Sequence, residues 1–201
     1  MQKILVWDWP ARIGHWLMAA GFVLAWLTAE SESLHALHIA SGATVLAVAT
    51  FRLPWGFIGS RYARFRDFVR GPRQVGAYLR RMLMLDPPAT VGHNPAGAVA
   101  IVLLLALGIL TSLLGWALEV EMAGHWLEDV HEFVADLMLT VVAVHLLGVA
   151  AGSLLHGENL AKSMLTGHKQ GKANQAIRSS RPFAAIVLVA WVAAVCWYLL
   201  R

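Results

Sequence analysis

Five stretches of this chain, residues 13–29, 33–51, 89–118, 137–157 and 182–200, contain no Asp, Glu, Lys or Arg. Crossing the hydrocarbon of a bilayer takes about 20 helical residues, within a range of roughly 17 to 25. Backbone groups in lipid must bond one another, so each stretch is expected as a helix rather than a lone strand. The expected fold is an all-α integral membrane helical bundle, a single transmembrane domain over residues 1–201 with spans at about 11–29, 34–57, 95–118, 127–155 and 182–200. The third stretch is longer than a crossing needs. Its start, Gly92-His93-Asn94-Pro95, reads as a turn with helix from about Pro95. The first follows Lys3 and Arg12 as a signal peptide would, but it reaches spanning length and no small-residue cleavage site follows, so it is read as retained.

Composition agrees. Of 201 residues, 58% are hydrophobic and only 14% charged, against about 25% charged in globular domains. A soluble single core and a disordered chain are both excluded. Cys196 is the one cysteine, so no disulfide forms within the chain.

The net charge of +4 is distributed in alternate loops. Lys3 and Arg12 precede the first span. Arg52, Arg61, Arg64, Arg66, Arg70, Arg73, Arg80 and Arg81 lie at or between spans two and three, and Lys162, Lys169, Lys172, Arg178 and Arg181 lie between spans four and five. Of the 16 Lys and Arg residues, Arg201 alone falls outside this set. The positive-inside rule then makes the N-terminus and the loops 58–92 and 156–181 cytoplasmic, and the C-terminus periplasmic. Topology and anionic lipid account for the basic loops, so no nucleic acid is expected as a partner. The opposite rim is acidic, with Glu30, Glu32, Glu119, Glu121, Glu128, Asp129 and Glu132. Trp7, Trp9 and Trp55 fall at inner span ends and Trp26, Trp116, Trp126 and Trp197 at outer ends, where amphipathic rings prefer to lie. Val75, Tyr78, Leu79, Met82 and Leu83 recur at helical spacing beside Arg73, Arg80 and Arg81, which predicts a short helix on the inner membrane surface or an ordinary loop helix.

Four of the nine histidines stand out by depth and phase. An ionisable residue in mid-span is expensive, so His145 is a functional candidate by default. His131 precedes it by fourteen residues, a turn of about 1,400°, which puts both imidazoles on one face about 21 Å apart in depth. His15 sits about one turn into the first span, at the level of His145. His38 sits about one turn into the second, at the level of His131. Two facing couples result, His15/His145 near the inner surface and His38/His131 near the outer. His35 competes with His38, one turn further out.

Two opposed neutral imidazoles in an apolar bundle suit a flat macrocycle whose iron takes nitrogen above and below. Zinc fits poorly, because no third or fourth Cys, Asp or Glu lies at either level. Covalent c-type haem is excluded by the absence of C-x-x-C-H. Two non-covalent b-type haems are the economical reading, with irons roughly 20 Å apart by helical rise. Gly21, Gly42, Ala49 and Gly148 would open space or allow close approach, or serve ordinary helix packing. Arg52 follows His38 by fourteen residues on the same face; it either pairs with a haem propionate or is one more positive-inside residue.

Val6-Trp7-Asp8-Trp9-Pro10-Ala11-Arg12-Ile13-Gly14-His15-Trp16, His38-x-x-x-Gly42 with Arg52-Leu53-Pro54-Trp55-Gly56, the Gly92-His93-Asn94-Pro95 turn, and His131 with His145 closing on Glu158-Asn159-Leu160 and Ser163-Met164-Leu165-Thr166-Gly167 together resemble the bacterial di-haem cytochrome b family. That family includes the b-type cytochrome subunits of nickel-iron hydrogenases and bacterial cytochromes b-561. The resemblance covers nearly the whole chain, weakening after about Lys172. It implies four core transmembrane helices holding two haems in the bacterial inner membrane, here with a fifth C-terminal helix, and electron transfer across the membrane, commonly with the quinone pool. Carried over by position, the axial ligands are His15, His38, His131 and His145, and Arg52 falls where relatives carry a charge near the haems. His93 falls in a motif to which no role is assigned. A periplasmic c-type cytochrome or a dehydrogenase subunit is the expected partner class, and quinone an expected substrate. The competing classes are a transporter moving protons or metal on intramembrane histidines and a haem-free membrane anchor.

Overall fold

The computed structural model describes residues 2–122 and 124–201. Helix α1 (Trp9–Thr28) starts where Asp8 caps it, accepting a 2.9 Å bond from the Ala11 amide through Oδ1, with Pro10 in the first turn where its missing N–H costs nothing. Helix α2 is His35–Ile58. Two short helices follow, α3 (Phe65–Phe68) and α4 (Pro72–Leu83). Helix α5 (Pro95–Glu119) is capped by Asn94, whose side chain accepts from the Gly97 amide at 2.7 Å. Helix α6 (Trp126–His156) stops at Gly157, which takes the left-handed conformation (φ 59°) that glycine adopts without strain. Helix α7 (Leu160–Thr166) is capped by Asn159, and α8 is Pro182–Leu199. Strands β1 (Gln2–Leu5) and β2 (His168–Gly171) form an antiparallel ribbon that pairs Gln2 with Gly171 and Leu5 with His168.

Among the described residues, four helical segments are long and apolar enough to cross a membrane: Glu32–Ile58, Pro95–Glu119, Trp126–His156 and Pro182–Leu199. Helix α1 has 20 residues, about 30 Å, which matches the hydrocarbon thickness. Helices α1 and α2 form one hairpin, α5 and α6 another; α2 packs on α5, and α8 covers the outer side of α2 and α1. The Trp191 indole of α8 donates to the Ala47 carbonyl of α2 at 3.0 Å. Packed helices lie about 8–10 Å apart. Helix α6 packs closely on α5 and makes at most sparse backbone contact with α1 and α2, which leaves a seam between α6 and the α1–α2 hairpin.

The segments between the helices fold into a cap at the end of the bundle where α1 begins and α6 stops. The Val6 and Trp7 amides both donate to the Gly167 carbonyl, at 2.8 and 3.0 Å. Ile4, Val6 and Trp7 form a small core with Tyr62, Val91 and Met164 packed around it. The Arg12 guanidinium donates to the Met164 and Leu165 carbonyls at the end of α7. Lys169 is buried, paired with Glu158 at 3.2 Å and donating to the Thr90 carbonyl at 3.1 Å.

This cap corrects two expectations. Trp7 and Trp55, read as interfacial anchors, are buried. Their indoles donate into protein, Trp7 to Ser163 Oγ and Trp55 to Asp8 Oδ2, each at 3.2 Å. Trp9 remains exposed, as do Trp26, Trp116, Trp126 and Trp197 at the outer ends. The amphipathic segment 75–83 lies within α4, which turns Tyr78 inward and leaves Leu79 and Leu83 exposed.

Candidate functional site

Three helices carry the singled-out histidines: His15 on α1, His38 on α2, and His131 and His145 on α6. The His38 ring of α2 and the His131 ring of α6 lie 6.3 Å apart, centre to centre, at an interplanar angle of 66°. A metal bonded to nitrogen at about 2 Å on each side, plus about 1 Å from each nitrogen to its ring centre, needs just such a spacing. The Nδ1 atoms are engaged elsewhere. His38 Nδ1 is 2.9 Å from the Ala25 carbonyl, and His131 Nδ1 is 3.1 Å from that of Thr111. A carbonyl can only accept, so each Nδ1 carries the proton and each Nε2 keeps the lone pair available to a metal. Gly115 makes room for this arrangement, since a Cβ there would lie 3.0 Å from His131 Cε1.

At the inner level His15 of α1 and His145 of α6 are electrostatic neighbours. Arg52 and His93 adjoin them. Arg52 donates through Nη2 to the Ala63 carbonyl at 2.7 Å, and its guanidinium lies 5.1 Å from the Phe65 ring centre and 5.8 Å from that of Phe68. Its Nη1 is buried without a hydrogen-bond partner among the described residues. Asp8, fully buried nearby, is already occupied by Ala11 and Trp55. His93 is held by Trp7 and Phe68, with ring centres 4.6 and 4.8 Å away, and its Nδ1 also lacks a partner among the described residues. Burial, then the neighbouring charges of Arg52 and Lys169, push this imidazole down to about 3, so it is neutral.

Space accompanies the ligands. A Cβ added to Gly42, one turn beyond His38, or to Gly148, just beyond His145, would meet nothing within 4 Å. Gly21, by contrast, serves close packing: a Cβ there would lie 3.1 Å from the Ser41 carbonyl oxygen. Ala49 is likewise fully buried in packed protein. His35 points elsewhere, its Nε2 3.0 Å from Glu119 Oε2 at an exposed position. Paired imidazoles, two of them with rings fixed by carbonyls, a seam beside α6, and buried nitrogens at the level of His15 and His145 that lack a partner among the described residues all fit a porphyrin with anionic side groups.

Sequence reasoning missed the carbonyls of Ala25 and Thr111, which carry no residue-type signal. It also missed Asp8, although an Asp followed by Trp-Pro at a helix start is a recognisable cap.

An apolar helical bundle with imidazoles facing each other across a seam defines the class of membrane cytochromes. The family model for prokaryotic cytochrome b561 matches residues 6–167, and the chain belongs to that family. The chain is also similar to a probable Ni/Fe-hydrogenase B-type cytochrome subunit from Rhizobium leguminosarum bv. viciae, 24% identical over 215 residues that cover 84% of this chain and 89% of the relative. No solved structure matches it. The chain is a multi-pass membrane cytochrome of the b type that acts in electron transfer.

Proposed function

We propose that the chain is a di-haem cytochrome that carries electrons across the bacterial inner membrane between a periplasmic redox partner and an acceptor in the membrane or on its inner side, with quinone the favoured acceptor. His38 and His131 bind one iron and His15 and His145 the other. The chief support is the spacing of the His38 and His131 rings combined with the engagement of both Nδ1 atoms by backbone carbonyls. When bound, b-type haem supplies a one-electron couple at each level.

The protein residues do the rest. The Ala25 and Thr111 carbonyls fix ring orientation and raise the basicity of the two outer imidazoles. The seam beside Gly42 and Gly148 leaves room for flat rings, and the apolar faces of α2, α5 and α6 exclude water. Arg52 is the residue that offers an inner-level cationic donor to a propionate. Among the described residues no three His, Cys, Asp or Glu groups gather to hold a bare metal ion, which favours the cytochrome over a metal carrier. The similarity to a hydrogenase cytochrome subunit favours a hydrogenase-type or other dehydrogenase partner, and the acidic outer rim would suit a basic c-type cytochrome.

The orientation follows the charge bias, with the N-terminus and the cap cytoplasmic and the C-terminus periplasmic. All five long helices, α1 included, cross the bilayer in this topology.

The test is haem quantification on purified wild type and on His15→Ala, His38→Ala, His131→Ala and His145→Ala. Each variant is expected to lose one haem. Combining two substitutions from one couple should lose no more than either alone, whereas combining one from each couple should lose both. Retention of full haem by any of the four would remove that residue from the ligand set.

A further inference from the structure

The inner end of the bundle contains two buried nitrogen atoms that the fold positions and then leaves unused. Among the described residues, Arg52 Nη1 and His93 Nδ1 have no hydrogen-bond partner, although a buried polar atom without one costs about 1–3 kcal/mol. The nearby groups that might satisfy them are committed. Both oxygens of Asp8 accept from Ala11 and Trp55, and Glu158 is paired with Lys169. The two orphaned atoms come from different elements, α2 and the turn before α5, yet both residues are electrostatic neighbours of one another, and His93 is a neighbour of His15 and His145 as well.

Neither orientation is accidental. Arg52 is held by the Ala63 carbonyl and the Phe65 and Phe68 rings. The His93 ring is clamped between Trp7 and Phe68. Trp7 is itself anchored to Ser163 of α7. Gly92 lets Tyr62 close over the turn, because a Cβ there would fall 2.5 Å from the Tyr62 ring. Three stretches of chain far apart in sequence thus converge to hold one imidazole.

We propose that Arg52 and His93 together form a carboxylate clamp that binds the propionate groups of the porphyrin held by His15 and His145. This rests on the di-haem reading and extends it by giving His93 a binding role. Arg52 contributes a full charge and His93 a neutral N–H of fixed direction. The outer couple, by contrast, lies toward the rim that carries Glu119, Glu128 and Glu132. The clamp therefore places positive charge at one haem only. Positive charge favours the reduced, less positive iron, so the clamp raises the potential of the inner haem relative to what it would otherwise be.

The experiment is a spectroscopic redox titration with haem quantification on purified wild type, Arg52→Gln, His93→Phe and His93→Asn. Phenylalanine keeps the aromatic contact with Trp7 and Phe68 without the nitrogen. Asparagine restores an N–H close to the Nδ1 position. His145→Ala identifies which band belongs to the inner haem. Arg52→Gln and His93→Phe are each expected to lower the midpoint of the inner band, or to lose that haem, with the outer band unchanged. His93→Asn should recover most of the effect of His93→Phe. Two haems with both midpoints unchanged in His93→Phe, or equal shifts of both bands, would overturn the clamp while leaving the di-haem reading intact. A wild type with fewer than two haems would overturn the di-haem reading itself and the clamp with it.

Discussion

In the proposed di-haem reading, individual residues divide into those that would hold iron and those that hold the holders. His35 and His38 make the division testable, since they are one turn apart on α2 and chemically identical. His35 spends its Nε2 on the exposed carboxylate of Glu119, whereas His38 has its Nδ1 fixed by a carbonyl and faces His131. His35→Ala is therefore expected to keep wild-type haem content, and His38→Ala to lose one haem, as measured by pyridine haemochrome absorbance. Asp8 belongs to the second group. Removing its carboxylate deletes the α1 cap, worth about 1 kcal/mol, and strands the buried Trp55 N–H, which costs about 1–3 kcal/mol. Asp8→Ala should lower thermal stability in detergent by several degrees, with Asp8→Asn recovering most of it, because an amide oxygen can still accept from Ala11. The facing of His38 and His131 was legible in the sequence because depth and helical phase are both functions of residue number. His93 was not, because its environment is made by Trp7 and Phe68, which no periodicity connects to it.

Elements show the same contrast between local and non-local information. The long helices could be read directly from the uncharged stretches, and their starts at Pro95 and Pro182 follow from proline's tolerance in the first turn. The cap could not be read that way. Its ribbon joins Gln2–Leu5 to His168–Gly171 across nearly the whole chain, and four-residue strands carry too little pattern to announce themselves. For that reason Trp7 and Trp55 looked like membrane anchors when they are interior residues of the cap. At this scale the seam beside α6 is the feature to challenge. A large side chain at Gly42, where a Cβ meets open space, fills the room beside His38 without disturbing backbone packing. Gly42→Phe is expected to remove one haem while far-ultraviolet circular dichroism keeps its helical content; loss of helix instead would show that Gly42 serves packing.

For the molecule as a whole, charge placement defines two different ends, and the proposed ligand placement would make it a conductor between them. The basic loops and the cap lie at one end and the carboxylate rim at the other. Reporter fusions after residue 70 and after Arg201 are expected to report cytoplasmic and periplasmic locations respectively, and the reverse pattern would invert the proposed orientation. Whichever way the chain sits, electrons can cross only if both levels carry a redox centre, because about 21 Å of helix separates His131 from His145. The most direct measurement is the molar ratio of haem b to polypeptide in protein purified from cells well supplied with haem, with polypeptide determined by amino-acid analysis. A ratio of two agrees with a couple of imidazoles at each level, and a ratio of one or none contradicts it.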